Sequence, residues 1–145
     1  MPDCQYSIDK KSQIDAKMEH MCEPILTLRI PMRATSLNKW MRMNWQAKRR
    51  HRADTTTLVR SVLPWEAINS VGYPLQQQVR LRIIAYMRSP LLDADNIVIK
   101  DLVDALKKWI IPDDSERFVA EVTPVVMRNE TNIILIEVYP ADQDQ

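Results

Sequence analysis

Glycine occurs once in these 145 residues, at Gly72. A loop that cradles phosphates needs several glycines to bring backbone N–H groups up to the anion, so P-loop and dinucleotide-fold readings are excluded. Cysteine occurs twice, at Cys4 and Cys22, both in the polar amino-terminal stretch. With no second pair and no histidine at zinc spacing they build no metal site, and reduced thiols are expected. No apolar run approaches the roughly 18 residues of a membrane span, and no basic-then-apolar leader opens the chain. The expectation is therefore no membrane partner and a cytoplasmic location. In that compartment the sequon Asn129-Glu130-Thr131 is only a turn.

The chain also lacks net charge, which is formally +1, yet its charges are segregated. Between Lys39 and Arg52 stand Lys39, Arg42, Lys48, Arg49, Arg50 and Arg52 with no acid among them. Residues 1–22 are too poor in branched apolar side chains to bury enough surface, and are expected as a flexible arm ahead of one folded domain at 23–145.

Within that domain, alternation of Leu26, Leu28 and Ile30 with Thr27 and Arg29 predicts a strand at 25–30, closed by Pro31. A helix is expected from near Trp45 to Leu63, where Pro64 stops it. "QVRLRIIAYM" predicts a second strand. Ile99, Leu102, Val103, Leu106 and Ile110 recur at helical spacing, which predicts a helix from Asn96 to about Trp109, with Asn96, Lys100, Asp104 and Lys107 on one flank. "RFVAEVTPVVM" and "NIILIEVYP" read as strands joined by the polar turn Arg128 to Thr131, hence a hairpin. The whole reads as an α/β (α+β) single domain, a small mixed sheet of about four strands packed with two helices, a parallel pair being bridged by each crossover.

The segment "SPLLDADNIVIKDLVDALKKWIIPDDS" gathers acids around that second helix. Asp93 and Asp95 are one residue apart and leave the same face of an extended chain, an arrangement that suits one hard cation. A capped, solvated helix is the other reading, since Asp95 or Asn96 can satisfy N–H groups at its start. The later pair Asp113-Asp114 asks for more than capping.

"DADN", then Lys100, "DAL" at Asp104 to Leu106 and "PDDS" at Pro112 to Ser115 resemble the signature of the RusA family of Holliday junction resolvases, which includes many phage-borne members. "PMRATSLNKWMRMNW" resembles that family's amino-terminal segment, and the likeness covers about residues 25 to 139. It implies a homodimeric endodeoxyribonuclease, dependent on Mg²⁺ or Mn²⁺, that nicks four-way DNA junctions symmetrically in recombination and repair in a bacterial or phage-infected cell. Asp93 and Asp95 match the first acidic motif, Asp114 the second aspartate of the later pair, and all three are the implied metal ligands. Lys100 stands one residue further from the first motif than the family's catalytic lysine, and the glycine common before the later pair is replaced by "KKWIIP". Asn38 matches the family's amino-terminal asparagine.

A helix over 96–109 is about 21 Å long. Asp114 lies five residues beyond, a reach of at most about 17 Å. Either the helix is shorter or broken, or a partner chain in an isologous dimer completes the cluster, and the second is the expectation. The chemistry expected is phosphodiester hydrolysis, with Lys100 beside the phosphate; its plain alternative is a pair with Asp104. Because carboxylates repel DNA, binding is assigned to Asn38, Lys39, Arg42, Lys48, Arg49, Arg50 and Arg52. His51 is read as a phosphate contact and Trp45 as core, although Trp40 and Trp45 have the chemistry to stack on an unpaired base. A non-catalytic DNA-binding or phage protein, or a nuclease for other branched DNA, stands as the alternative.

Overall fold

Alternation of buried and open positions along the strands sets the architecture. In β2 (Val79–Met87) the side chains of Val79, Leu81, Ile83, Ala85 and Met87 are all buried. They share one core with Leu28 and Ile30 of β1 (Leu26–Ile30) and with Ile134, Ile136 and Val138 of β4 (Ile133–Pro140). Burying a large aliphatic side chain of this kind is worth about 1.5–3 kcal/mol. A computed structural model of the protein describes residues 23–69 and 72–141. The stretch 1–22, expected as an arm and carrying Cys4 and Cys22, lies outside the described residues.

The four strands form one mixed sheet in the order β1-β4-β2-β3, where β3 is Val119–Arg128. β4 is antiparallel to both β1 and β2, so Ile136 stands opposite Leu28 on one side and Ile83 on the other. β2 and β3 are parallel. The α+β expectation stands, but two details change. β3 and β4 are not a hairpin: β2 lies between them, and the connecting turn wraps its end, with Asn129 N–H donating to the Met87 carbonyl (2.9 Å) and Arg88 N–H to Asn132 Oδ1 (3.0 Å). A strand apolar enough to be covered on one face and flanked on both edges takes the centre, and the hairpin signal yields to it. Likewise β1 and β2 are not a bonded pair, because β4 separates them. Pro124 is accommodated in β3 because that strand is an edge.

Among the described residues four helices accompany the sheet: α1 (Leu37–Met41), α2 (Trp45–Ser61), α3 (Trp65–Ile68) and α4 (Lys100–Leu106). α2 matches the expected helix, with Asn44 as its cap, its Oδ1 accepting from Ala47 N–H at 2.8 Å. It buries Thr55 and Val59. The expected 96–109 helix is much shorter. Ala94–Asn96 form a 3₁₀ turn, and Ile97 is extended and bridged to Ser36. Three successive β-branched residues, Ile97 to Ile99, resist helix and favour that bridge. At the other end Lys107 is extended and Lys108 takes φ 80°, the left-handed conformation that a glycine favours. Leu102, Val103, Ala105 and Leu106 bury the inner face of α4 against the shared core.

Candidate functional site

The acidic turn is held by the amino-terminal segment of the domain. Arg33 donates to the carbonyls of Arg88 (3.0 Å) and Pro90 (2.7 Å), pinning the chain that leaves β2. Val98 N–H donates to the Thr35 carbonyl (2.9 Å), and Asn38 N–H donates to Asn96 Oδ1 (3.0 Å). Ser36 caps α1 by accepting from Lys39 N–H at 3.2 Å. The two stretches that carry the family resemblance, 58 residues apart, are thus one structural unit. Asp93 and Asp95 are both exposed on it. They sit on a tight turn and not on an extended run, so the shared-face argument from period-two geometry does not apply to them.

Behind this turn lies a buried polar chain that the sequence did not reveal. Asp101, 2 % exposed, accepts from His51 Nδ1 at 2.6 Å, and His51 Nε2 meets Thr35 Oγ1 at 2.8 Å. Arg52 stands 3.8 Å from Asp101 and 3.8 Å from Asp104. His51 is therefore turned inward, tying α2 to α4 and to the Thr35 segment, and is not a phosphate contact. Its place in a run of surface cations hid this. Asp101 gives no spacing signal at all, since its partner is 50 residues away.

In front, two clefts adjoin. One, about 300 Å³, is lined by Leu37, Trp40, Asp95 and Lys100 among others. The next, about 400 Å³, is lined by Trp40, Trp45, Lys48, Arg49, Arg52, Lys100 and Asp101. Trp40 and Lys100 belong to both, so the acidic turn borders the basic helix directly. Lys48 Nζ lies 4.4 Å from the Trp40 ring centre, and the Arg49 guanidinium 5.3 Å from that of Trp45. Trp45 is not core: it is 67 % exposed. It is the first helical residue of α2, whose buried residues, Thr55 and Val59, lie in its later turns. Lys39, Arg42 and Asn38 are exposed on α1 and at its end.

Asp114 is placed elsewhere. Lys107 Nζ bridges Asp104 (3.1 Å) and Asp114 (3.4 Å), while Lys100 Nζ reaches Asp104 at 3.3 Å. Burial pushes the Asp104 carboxyl up, but hydrogen bonds from Lys107 and Lys100 outweigh it and hold the group below the usual range. The Asp104 hydrogen bond raises Lys107. Asp113 accepts from Ser115 N–H at 2.7 Å, and hydrogen bonding from the Ser115 side chain, then from its backbone, lowers its carboxyl. Among the described residues no group of three or more His, Cys, Asp and Glu side chains is placed to hold a metal ion. A single chain thus offers two exposed carboxylates, Asp93 and Asp95, one residue apart. That set suits Mg²⁺, which binds through one or two carboxylates and takes its remaining oxygens from water and a substrate phosphate. Asp114 does not join it within one chain. Comparison with models of known protein families and with curated proteins finds no match for this chain.

Proposed function

We propose that the protein is a metal-dependent endodeoxyribonuclease that cuts branched DNA, with the four-way junction as substrate, and that it works as a homodimer in the cytoplasm of a bacterial or phage-infected cell. The observation that carries this reading is the shared wall of the two clefts. Asp95 and Lys100 face the first, and Lys100, Lys48, Arg49 and Arg52 line the second. A phosphodiester backbone laid along α2 is held by cations at one end and delivered to exposed carboxylates at the other.

In this mechanism Lys39, Arg42, Lys48, Arg49 and Arg50 bind backbone phosphates and fix the register of the DNA. Asp93 and Asp95 would hold Mg²⁺ or Mn²⁺, whose chemistry there would be Lewis acidity toward a phosphate and activation of a water. Lys100, 61 % exposed, is a fixed positive charge at the mouth between the clefts, and Asp104 beside it sets the direction of its ammonium group. Asn38 acts through its backbone N–H on Asn96, which positions the acidic turn rather than touching substrate. In the homodimer, Asp114 of a second copy completes the acidic set.

The test is cleavage of a mobile four-way junction against a linear duplex, with and without Mg²⁺. The double substitution Asp93→Asn with Asp95→Asn is expected to abolish nicking while junction binding survives or tightens, since two repelling charges are removed. A second reading, a non-catalytic DNA-binding protein, draws on the engagement of Asp114 with Lys107. An intact wild-type protein that binds junctions yet never cuts them in Mg²⁺ or Mn²⁺ establishes that reading instead.

A further inference from the structure

Trp45 has no part in the hydrolysis just described, yet its setting is specific. It directly follows the Asn44 cap of α2, whose first turn contains no acid to offset the positive end of the helix dipole. Its indole is a wall shared by two clefts. One, of about 400 Å³, is lined also by Trp40 and Lys48, the other, of about 500 Å³, by Gln46, Arg50 and Ala53; Arg49 lines both, with its guanidinium over the ring at 5.3 Å from its centre. Both volumes fall in the roughly 300–1,000 Å³ range of small-ligand sites. Among the described residues no acid pairs with Lys48, Arg49 or Arg50, whereas Arg52 is drawn to Asp101 and Asp104.

An exposed π-surface standing between two spaces, already stacked by one planar cation, Arg49, and flanked by others that no acid neutralises, matches one ligand chemistry closely: a planar base with a phosphate on either side. Stacked bases inside a duplex do not offer their faces, so the ligand must be unpaired. We infer that Trp45 is a stacking platform for an unpaired nucleobase of DNA, with Lys48, Arg49 and Arg50 holding the flanking phosphates. At a branch point, where bases lose their stacking neighbours, the platform takes one strand out of line and so reads structure in place of sequence. This rests on the DNA-binding half of the proposed function and is independent of cleavage.

The experiment measures anisotropy of a labelled oligothymidylate and of a duplex of equal length, in EDTA so that no cutting intervenes, with thermal melts to confirm folding. Trp45→Ala is expected to weaken the single strand by roughly 5- to 150-fold, the range found for removal of one base–aromatic stack. The duplex changes by less than about twofold, because its affinity comes from phosphate contacts. Trp45→Phe retains most of the single-strand affinity. Arg49→Gln flattens the salt dependence of single-strand binding by about 0.7 in slope, whereas Trp45→Ala leaves that slope unchanged. Equal weakening of both ligands by Trp45→Ala, or of neither, overturns the platform. A wild type that passes this test but never nicks a junction removes the nuclease reading and leaves the platform standing; one that nicks, with single-strand binding indifferent to Trp45→Ala, does the reverse.

Discussion

At the scale of single residues, the deciding contrast is between His51 and the cations that surround it in the sequence. Arg50 is exposed and free of acids among the described residues, whereas His51 is closed in by Thr35 and Asp101. Its Nδ1 lies against the Asp101 carboxylate and its Nε2 against the Thr35 hydroxyl, so both ring nitrogens are engaged. Removing the ring leaves a carboxylate that is 2 % exposed with only Arg52 near it at 3.8 Å. His51→Ala is therefore expected to cost about 1–3 kcal/mol of stability, the penalty of leaving a buried polar group unsatisfied. Its salt slope for duplex binding stays that of the wild type. Arg50→Ala is expected to do the opposite, with an unchanged denaturant midpoint and a slope shallower by about 0.9. Chemical denaturation and salt titration of the two variants side by side check both. The histidine was illegible in the sequence because its partners lie 16 and 50 residues away, and no local spacing encodes such a chain.

At the scale of elements, patterns with one dominant cause were legible and those with competing causes were not. β1, α2, β2, β3 and β4 fall within two or three residues of their expected bounds because each has a clean period, and Pro31 and Pro64 mark the ends of β1 and α2. α4 failed on length. Its apolar spacing runs on past Leu106, but Ile97 and Val98 are tied to Ser36 and Thr35, and Lys108, within the stretch that replaces the family's glycine, breaks the helix at φ 80°. The shortened helix keeps its charged flank, where Asp104 takes hydrogen bonds from both Lys100 and Lys107. Because the folded Asp104 carboxyl lies below its unfolded value of about 4, its contribution to stability is present above that value and is lost as pH falls through the folded one. Lys107 runs the other way: its raised value contributes below about pH 10.4 and is lost as pH rises through the folded value. Asp104→Asn is accordingly expected to lower the melting temperature at neutral pH and to flatten its fall below about pH 4, which a series of thermal melts reads directly.

At the scale of the whole molecule, the fold class and the parallel pair β2–β3 bridged by a helical crossover followed from the order of elements, but the neighbours of β4 did not, since only the competition for the other edge of β2 decides them. The acidic cluster is the sharper case. α4 is only seven residues, about 10 Å, half the length of the expected helix, and Asp114 pairs with Lys107. Among the described residues the three aspartates form no metal-holding group, and in the proposed homodimer a two-fold axis supplies Asp114 from the second copy. It makes a particular prediction. Let one subunit carry Asp93→Asn with Asp95→Asn, and the other Asp114→Asn; each homodimer is then inactive by the proposed function. If every site is built within one chain, the mixed dimer has two broken sites and stays inactive. If each site takes its turn from one chain and Asp114 from the other, one site of the mixed dimer collects both lesions while the second is wild type throughout. Mixing the two inactive proteins under subunit exchange is therefore expected to restore nicking of a single strand per junction, at up to about a quarter of the wild-type rate given random pairing and one live site in half of the dimers. Denaturing gels that resolve the two labelled strands distinguish this from paired incision, and a mixture that stays inert while size exclusion shows exchanged dimers places the whole acidic set within one subunit.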